Sequence, residues 1–108
     1  MWHTGQAINA LLDAYALTRD SVHLRAAIRA GNWWVAQEYT SHPKLAGYLR
    51  AIHGAEVGDL INTTTISDGT PGLFKLSRLT GNPRYADCAT RAGQWMIDHL
   101  WLPDSALL

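Results

Sequence analysis

Acidic and imidazole side chains gather in one long connection of this 108-residue chain, between about residues 40 and 67. His53, Glu56 and Asp59 lie within it. Carboxylates and imidazoles can transfer protons, and Glu56 or Asp59 could be the second carboxylate of a hydrolytic pair. His53 could orient a sugar or shuttle a proton. The alternatives are solvated loop carboxylates and a loop histidine bonded to the backbone.

Three further candidates border this connection. Trp2 and His3 precede the first expected helix and would face the same rim, as a stacking and hydrogen-bonding pair for a sugar. Trp2 could equally cover the end of the core. Asp68 stands where the third expected helix begins, and there a carboxylate commonly caps the helix.

We expect neither a metal ion nor a cofactor. The histidines lack the i, i+4 spacing of a helical zinc motif, and the single cysteine, Cys88, lies elsewhere in the sequence. Cys88 is better explained as a small buried apolar residue than as a nucleophile.

An internal repeat predicts the elements that position these residues. Shifted by 62 residues, residues 17–35 align without a gap on residues 79–97, with 7 of 19 positions identical. Such a period is typical of arrays in which each unit buries its apolar face against the next one. Because Trp33 and Trp95 recur at the same repeat position, we expect both in the core.

Each repeat unit reads as two antiparallel helices. Apolar residues recur at spacings of three and four, and turn residues such as Gly81, Asn82 and Pro83 separate the helices. The prediction is an all-α chain of tandem helical hairpins in one segment, residues 1–108. Hairpin one spans residues 5–39, a long rim loop 40–67, and hairpin two 68–101. The four main helices are expected over residues 5–18, 21–39, 69–80 and 83–101, with a short helix from Pro43 to Ile52.

Composition narrows the possible partners. The formal net charge is zero and 17% of residues are charged, so a nucleic-acid or anionic-membrane partner is not expected. No apolar run approaches the roughly 20 residues that cross a bilayer, and the N-terminus lacks the features of a signal peptide. These features favour a cytoplasmic location. We also expect a fragment, whose open hairpin edges are covered by further chain or by self-association.

The turn between the helices of the second unit carries a family resemblance. An inner helix, the segment Thr-Gly-Asn-Pro-Arg-Tyr at residues 80–85 and a Trp-containing outer helix resemble the hairpin of the six-hairpin glycosidases, which form an (α/α)6 barrel. The stretch Ser-Asp-Gly-Thr-Pro-Gly-Leu-Phe at residues 67–74 is most similar to the unsaturated glucuronyl and rhamnogalacturonyl hydrolases. The resemblance implies that Asp68 is the general acid and base. Such hairpins also occur in sugar epimerases and polysaccharide lyases.

The sequence thus leaves two classes of function. The first is a glycoside hydrolase-like enzyme that cleaves a glycosidic or unsaturated uronide linkage by general acid–base catalysis. Asp68 would be catalytic, and the oligosaccharide substrate would contact Trp2, His3, His53 and Glu56. The second is a helical-repeat module for protein interaction or structure, without catalysis.

Overall fold

The protein is all-α in architecture, as predicted. The computed structural model describes the backbone of residues 2–41, 43–53, 56–58 and 63–100, and the side chains of residues 3–41, 43–50 and 69–99. Within these ranges the helices are α1 Trp2–Thr18, α2 Ser21–Val35, α3 Thr63–Thr80 and α4 Arg84–Leu100. A small antiparallel hairpin of β1 Ala51–His53 and β2 Glu56–Gly58 lies between α2 and α3 in the chain. None of the helices in the described ranges is long and apolar enough to cross a membrane.

The same hydrogen-bonded motif turns the chain in both helical hairpins. In the first turn the Thr18 hydroxyl donates to the Ala14 carbonyl at 2.8 Å, and the Asp20 carboxylate accepts from the Val22 amide at 3.0 Å. The second turn repeats both bonds 62 residues later, from Thr80 to the Leu76 carbonyl at 2.7 Å and from the Arg84 amide to Asn82 at 3.1 Å. A threonine that ends one helix and a capping Asp or Asn therefore define each unit. The predicted repeat is confirmed at the turns.

The residue after each threonine has a left-handed backbone conformation, with positive φ. Arg19 has φ 57° and Gly81 has φ 72°. Their amides donate to the fourth residue before them, Tyr15 and Ser77, at 2.8 and 2.9 Å. Glycine adopts this conformation freely, whereas a residue with a Cβ does so at a cost.

This difference predicts opposite effects of two substitutions at equivalent positions. Gly81→Ala should lower the free energy of unfolding by about 1 kcal/mol, because alanine is strained at positive φ. Arg19→Gly should raise it by up to about 1 kcal/mol, because the strain is removed. Urea unfolding followed by circular dichroism measures both. Changes of the same sign would contradict the conformational explanation.

The helices form two layers of parallel neighbours. In the inner layer α1 packs along α3, where Asp13 forms an ion pair with Lys75 at 3.2 Å. In the outer layer the Tyr85 hydroxyl of α4 donates to Asn32 Oδ1 of α2 at 2.7 Å. Because Asp13 and Lys75 are themselves 62 residues apart, the two hairpins stand side by side in the same orientation.

The core lies between these layers and continues under the connection from α2. Glycines bring the helices close together: a methyl group at Gly31 would overlap Leu76, and one at Gly69 would lie 2.7 Å from the Trp34 ring. The cluster of buried side chains comprises Ile8, Leu12, Ala27, Trp34, Leu45, Tyr48, Leu49, Leu73, Leu76, Tyr85, Cys88, Ala89, Ala92 and Trp95.

The connection that follows α2 differs from its prediction. The helix ends at Val35 instead of residue 39, and the short helix expected from Pro43 to Ile52 is wrong. Residues 43–47 form turns, Glu38 forms a β-bridge with Leu49, and Ile52 lies in β1. The reason is non-local pairing: the backbone groups of residues 37 and 39 bond to residues 50 and 48 at 3.0 and 2.8 Å, in place of helical partners.

The two repeat-related tryptophans lie in different environments. Trp95 is only 6% exposed, as predicted, whereas the expectation of a buried Trp33 is wrong, since its exposed fraction is 40%. Trp95 is covered by the connection after α2, where Tyr48 packs against it at a ring distance of 4.3 Å. In hairpin one the neighbouring residue Trp34 is fully buried instead.

Candidate functional site

Asp68 lies inside α3. The helix begins at Thr63, so Asp68 is its sixth residue, and the expected helix start at residues 68–69 is wrong. The N-cap explanation for Asp68 therefore fails as well. The helix continues through Pro71, a residue that normally breaks helices, because this stretch is packed on both sides. Gly69 lies against Trp34, and Gly72 lies against Ile8, where a Cβ would come within 3.0 Å.

Trp2 and His3 lie in the first turn of α1. The prediction that they precede this helix is therefore wrong. His3 is exposed, while the side chain of Trp2 lies outside the described part. Since α1 and α3 are parallel neighbours, the first turns of both helices stand at the same end of the stack. The 62-residue offset relates Gln6 to Asp68 and His3 to Thr65.

His53 and Glu56 are paired in the backbone of the β-hairpin. His53 ends β1, Glu56 begins β2, and the register places these two residues directly opposite one another. Sequence reasoning missed this pairing. The signal was the dipeptide Gly54-Ala55 between two short alternating segments, since glycine at the first position favours a two-residue hairpin turn.

The predicted residues therefore fall into two backbone groups. One comprises Trp2, His3 and Asp68, on neighbouring inner helices at one end of the stack. The other comprises His53 and Glu56, across a strand pair in the segment that leads into α3. The side chains of Asp68, His53 and Glu56 lie outside the described ranges, and so does Asp59 altogether.

A stack of aromatic side chains near the end of α4 was also not foreseen. The Trp95 ring contacts the rings of Tyr48 and His99, with centroid distances of 4.3 and 4.5 Å. The Trp95 indole donates to the Lys44 carbonyl at 3.0 Å, which fastens the connection after α2 to α4. Burial raises the pKa of Tyr48 to about 12, so its phenol stays protonated and cannot act as a base near neutral pH.

A polar cluster links the connection after α2 to the outer helix α4. Glu38 accepts two hydrogen bonds from the Arg91 guanidinium, at 2.7 and 2.8 Å, and its side chain is largely buried. Burial, followed by the negative charge of Glu38, raises the pKa of the Cys88 thiol to about 12. Cys88 is fully buried, which confirms it as a packing residue. A protonated, inaccessible thiol cannot serve as a nucleophile.

The described residues contain no group of three or more His, Cys, Asp or Glu side chains that could hold a metal ion. Comparison with known proteins found no matching family model, no similar curated protein and no similar solved structure. The site must therefore be judged by its own residues, and Asp68 lies inside α3 and not at its N-cap.

Proposed function

We propose that this protein belongs to a glycoside-cleaving machinery of the six-hairpin type, with Asp68 as the group that transfers protons. The observation that carries the proposal is the place of Asp68 in the sixth position of an inner helix. A carboxylate there does not cap the helix, and its end of the stack receives the long connection from α2. The resemblance of residues 67–74 to unsaturated uronide hydrolases supports the same residue.

The surroundings of Asp68 supply further support. In an uninterrupted helix the carbonyl of Ser67 would accept a hydrogen bond from the amide of residue 71. Pro71 has no amide hydrogen, so this carbonyl has no helical donor. An acceptor one residue before Asp68 is suited to a sugar hydroxyl or to the attacking water.

The chemistry needs a proton to reach the leaving oxygen as the glycosidic bond breaks. Asp68 in its acid form would donate that proton, and water would supply a hydroxyl group to the sugar carbon. The remaining proton of the water would pass to a second carboxylate and then, through solvent, back to Asp68. This second carboxylate would activate the water, and Glu56 is the candidate. His53, opposite Glu56 in the strand pair, would orient the substrate together with Trp2 and His3.

The substrate class is tested directly with uronide disaccharides. We expect the protein to release reducing sugar from disaccharides with an unsaturated uronic acid at the non-reducing end. The ultraviolet absorbance of the conjugated double bond should disappear after this release, because the freed unsaturated sugar opens to its keto form. The matched saturated disaccharides serve as the control. No turnover of either series would contradict the proposal and favour a helical-repeat module without catalysis.

A further inference from the structure

Hairpin two covers hairpin one along a defined surface. Gly31 of α2 contacts Leu76 of α3 and the ring of Tyr85 of α4. Leu12 is buried in the same core, and Val35 packs against this core partly buried. This contact is the stacking interface between successive repeat units.

The repeat reproduces the covered surface on hairpin two, where it is open. Leu12, Gly31 and Val35 correspond at the 62-residue offset to Phe74, Gly93 and Ile97. Phe74 is 40% and Ile97 56% exposed, and a Cβ at Gly93 would meet no atom within 4 Å. We name these three residues the open face. Its apolar side chains are exposed at the positions whose counterparts are covered.

Hairpin one carries the surface that is complementary to the open face. The residues of hairpin two that enclose Gly31 are Leu76 and Tyr85, and their counterparts on hairpin one are Ala14 and His23. Both counterparts are partly exposed. Alanine and histidine are smaller than leucine and tyrosine, so they can approach Gly93 without overlap. The chain thus carries two complementary surfaces at opposite ends of its stack.

We infer that the open face binds hairpin one of a second copy of this chain, head to tail. The register places Ala14 of the second copy against Gly93, as Leu76 lies against Gly31 within one chain. The charges are complementary in this register, because Asp13 of the second copy approaches Lys75 of the first. Within one chain the same two residues form an ion pair. The inference is independent of the proposed catalytic function.

Two differences make the contact between copies weaker than the contact within the chain. Ala14 fills less space than Leu76, and the Glu38–Arg91 ion pair has no counterpart, since Leu100 and Arg29 occupy those positions. The association should therefore depend on concentration. A head-to-tail contact leaves one surface free at each end, so rings or short chains of copies form instead of a closed two-fold dimer.

Sedimentation velocity over about a hundredfold range of concentration tests this association. The wild-type protein should sediment faster as concentration rises. Gly93→Gln should remain monomeric, because its side chain fills the space reserved for Ala14. The helix content of this variant, measured by circular dichroism, and its melting temperature should not fall. The site is open in the monomer, and glutamine favours helix more than glycine does. Leu17→Gln, which alters an 87% exposed leucine at the first turn, should associate like wild type.

A cross-linking experiment tests the register. Gly93→Cys and Ala14→Cys variants, mixed under oxidised glutathione, should give a disulfide-linked dimer of the two. A mixture of Gly93→Cys with Leu17→Cys should not. A wild-type protein that is monomeric at every concentration would overturn the inference, as would equal association of Gly93→Gln. Equal cross-linking of both mixtures would overturn the register.

Discussion

Replacing Trp34 by alanine should lower the free energy of unfolding by about 3–5 kcal/mol. The Trp34 side chain is fully buried, and its ring lies where a Cβ on Gly69 would come within 2.7 Å. No side chain on α3 can grow into the vacated space without a further substitution, so a cavity remains. A loss of this size is a large part of the stability of a small domain. Guanidinium unfolding followed by circular dichroism measures it.

The adjacent tryptophan is the matched control. Trp33→Ala removes the same side chain from the next position of α2, but 40% of Trp33 is already exposed. We expect it to cost about 1 kcal/mol or less. Equal losses for the two variants would contradict the assignment of Trp34, and not Trp33, to the core.

Changing Asp68 to asparagine should lower the turnover of unsaturated uronide disaccharides by at least about 10²-fold, the usual scale for loss of a general acid–base group. Asparagine keeps the shape of the side chain but cannot donate or accept the transferred proton. The two residues have similar helix propensities, so the melting temperature should change little. Steady-state kinetics and thermal unfolding of the same preparation measure both quantities.

Asp87→Asn provides the control for this variant. Asp87 is an exposed carboxylate in the first turn of the outer helix α4, so its loss changes the net charge equally. It should retain wild-type turnover and lose at most about 1 kcal/mol of helix-end stabilisation. Unaltered turnover in Asp68→Asn would remove Asp68 from the mechanism, and an equal loss of turnover and stability would make it a structural residue.

The hairpin turns were predictable because their determinants are local. Thr80, Gly81 and Asn82 each act on backbone groups within four residues, and the capping side chain bonds two residues ahead. Because the two units repeat, the same prediction applies to the first hairpin turn, where Arg19 stands at the position of Gly81. Because the two repeat units stand in the same orientation, the inner helices α1 and α3 are neighbours, and so are the outer helices α2 and α4.

The remaining features depend on contacts that sequence spacing does not reveal. Residues 37 and 39 bond to residues 8 to 13 positions further along the chain. Trp33 and Trp95 differ because this segment covers Trp95 alone. The start of α3 was misplaced because the Gly and Pro residues at positions 69–72 are typical of a helix boundary. Here they allow close packing, and this error also produced the capping interpretation of Asp68.

The contact between Trp34 and Gly69 also matters during synthesis. A ribosome releases Gly69 only 35 residues after Trp34, so at about 5–20 residues per second the nascent hairpin exposes this indole for about two to seven seconds. The first half of the chain therefore emerges with its largest core side chain uncovered. During that interval it exposes apolar surface of the kind that promotes aggregation, and the arrival of α3 covers it.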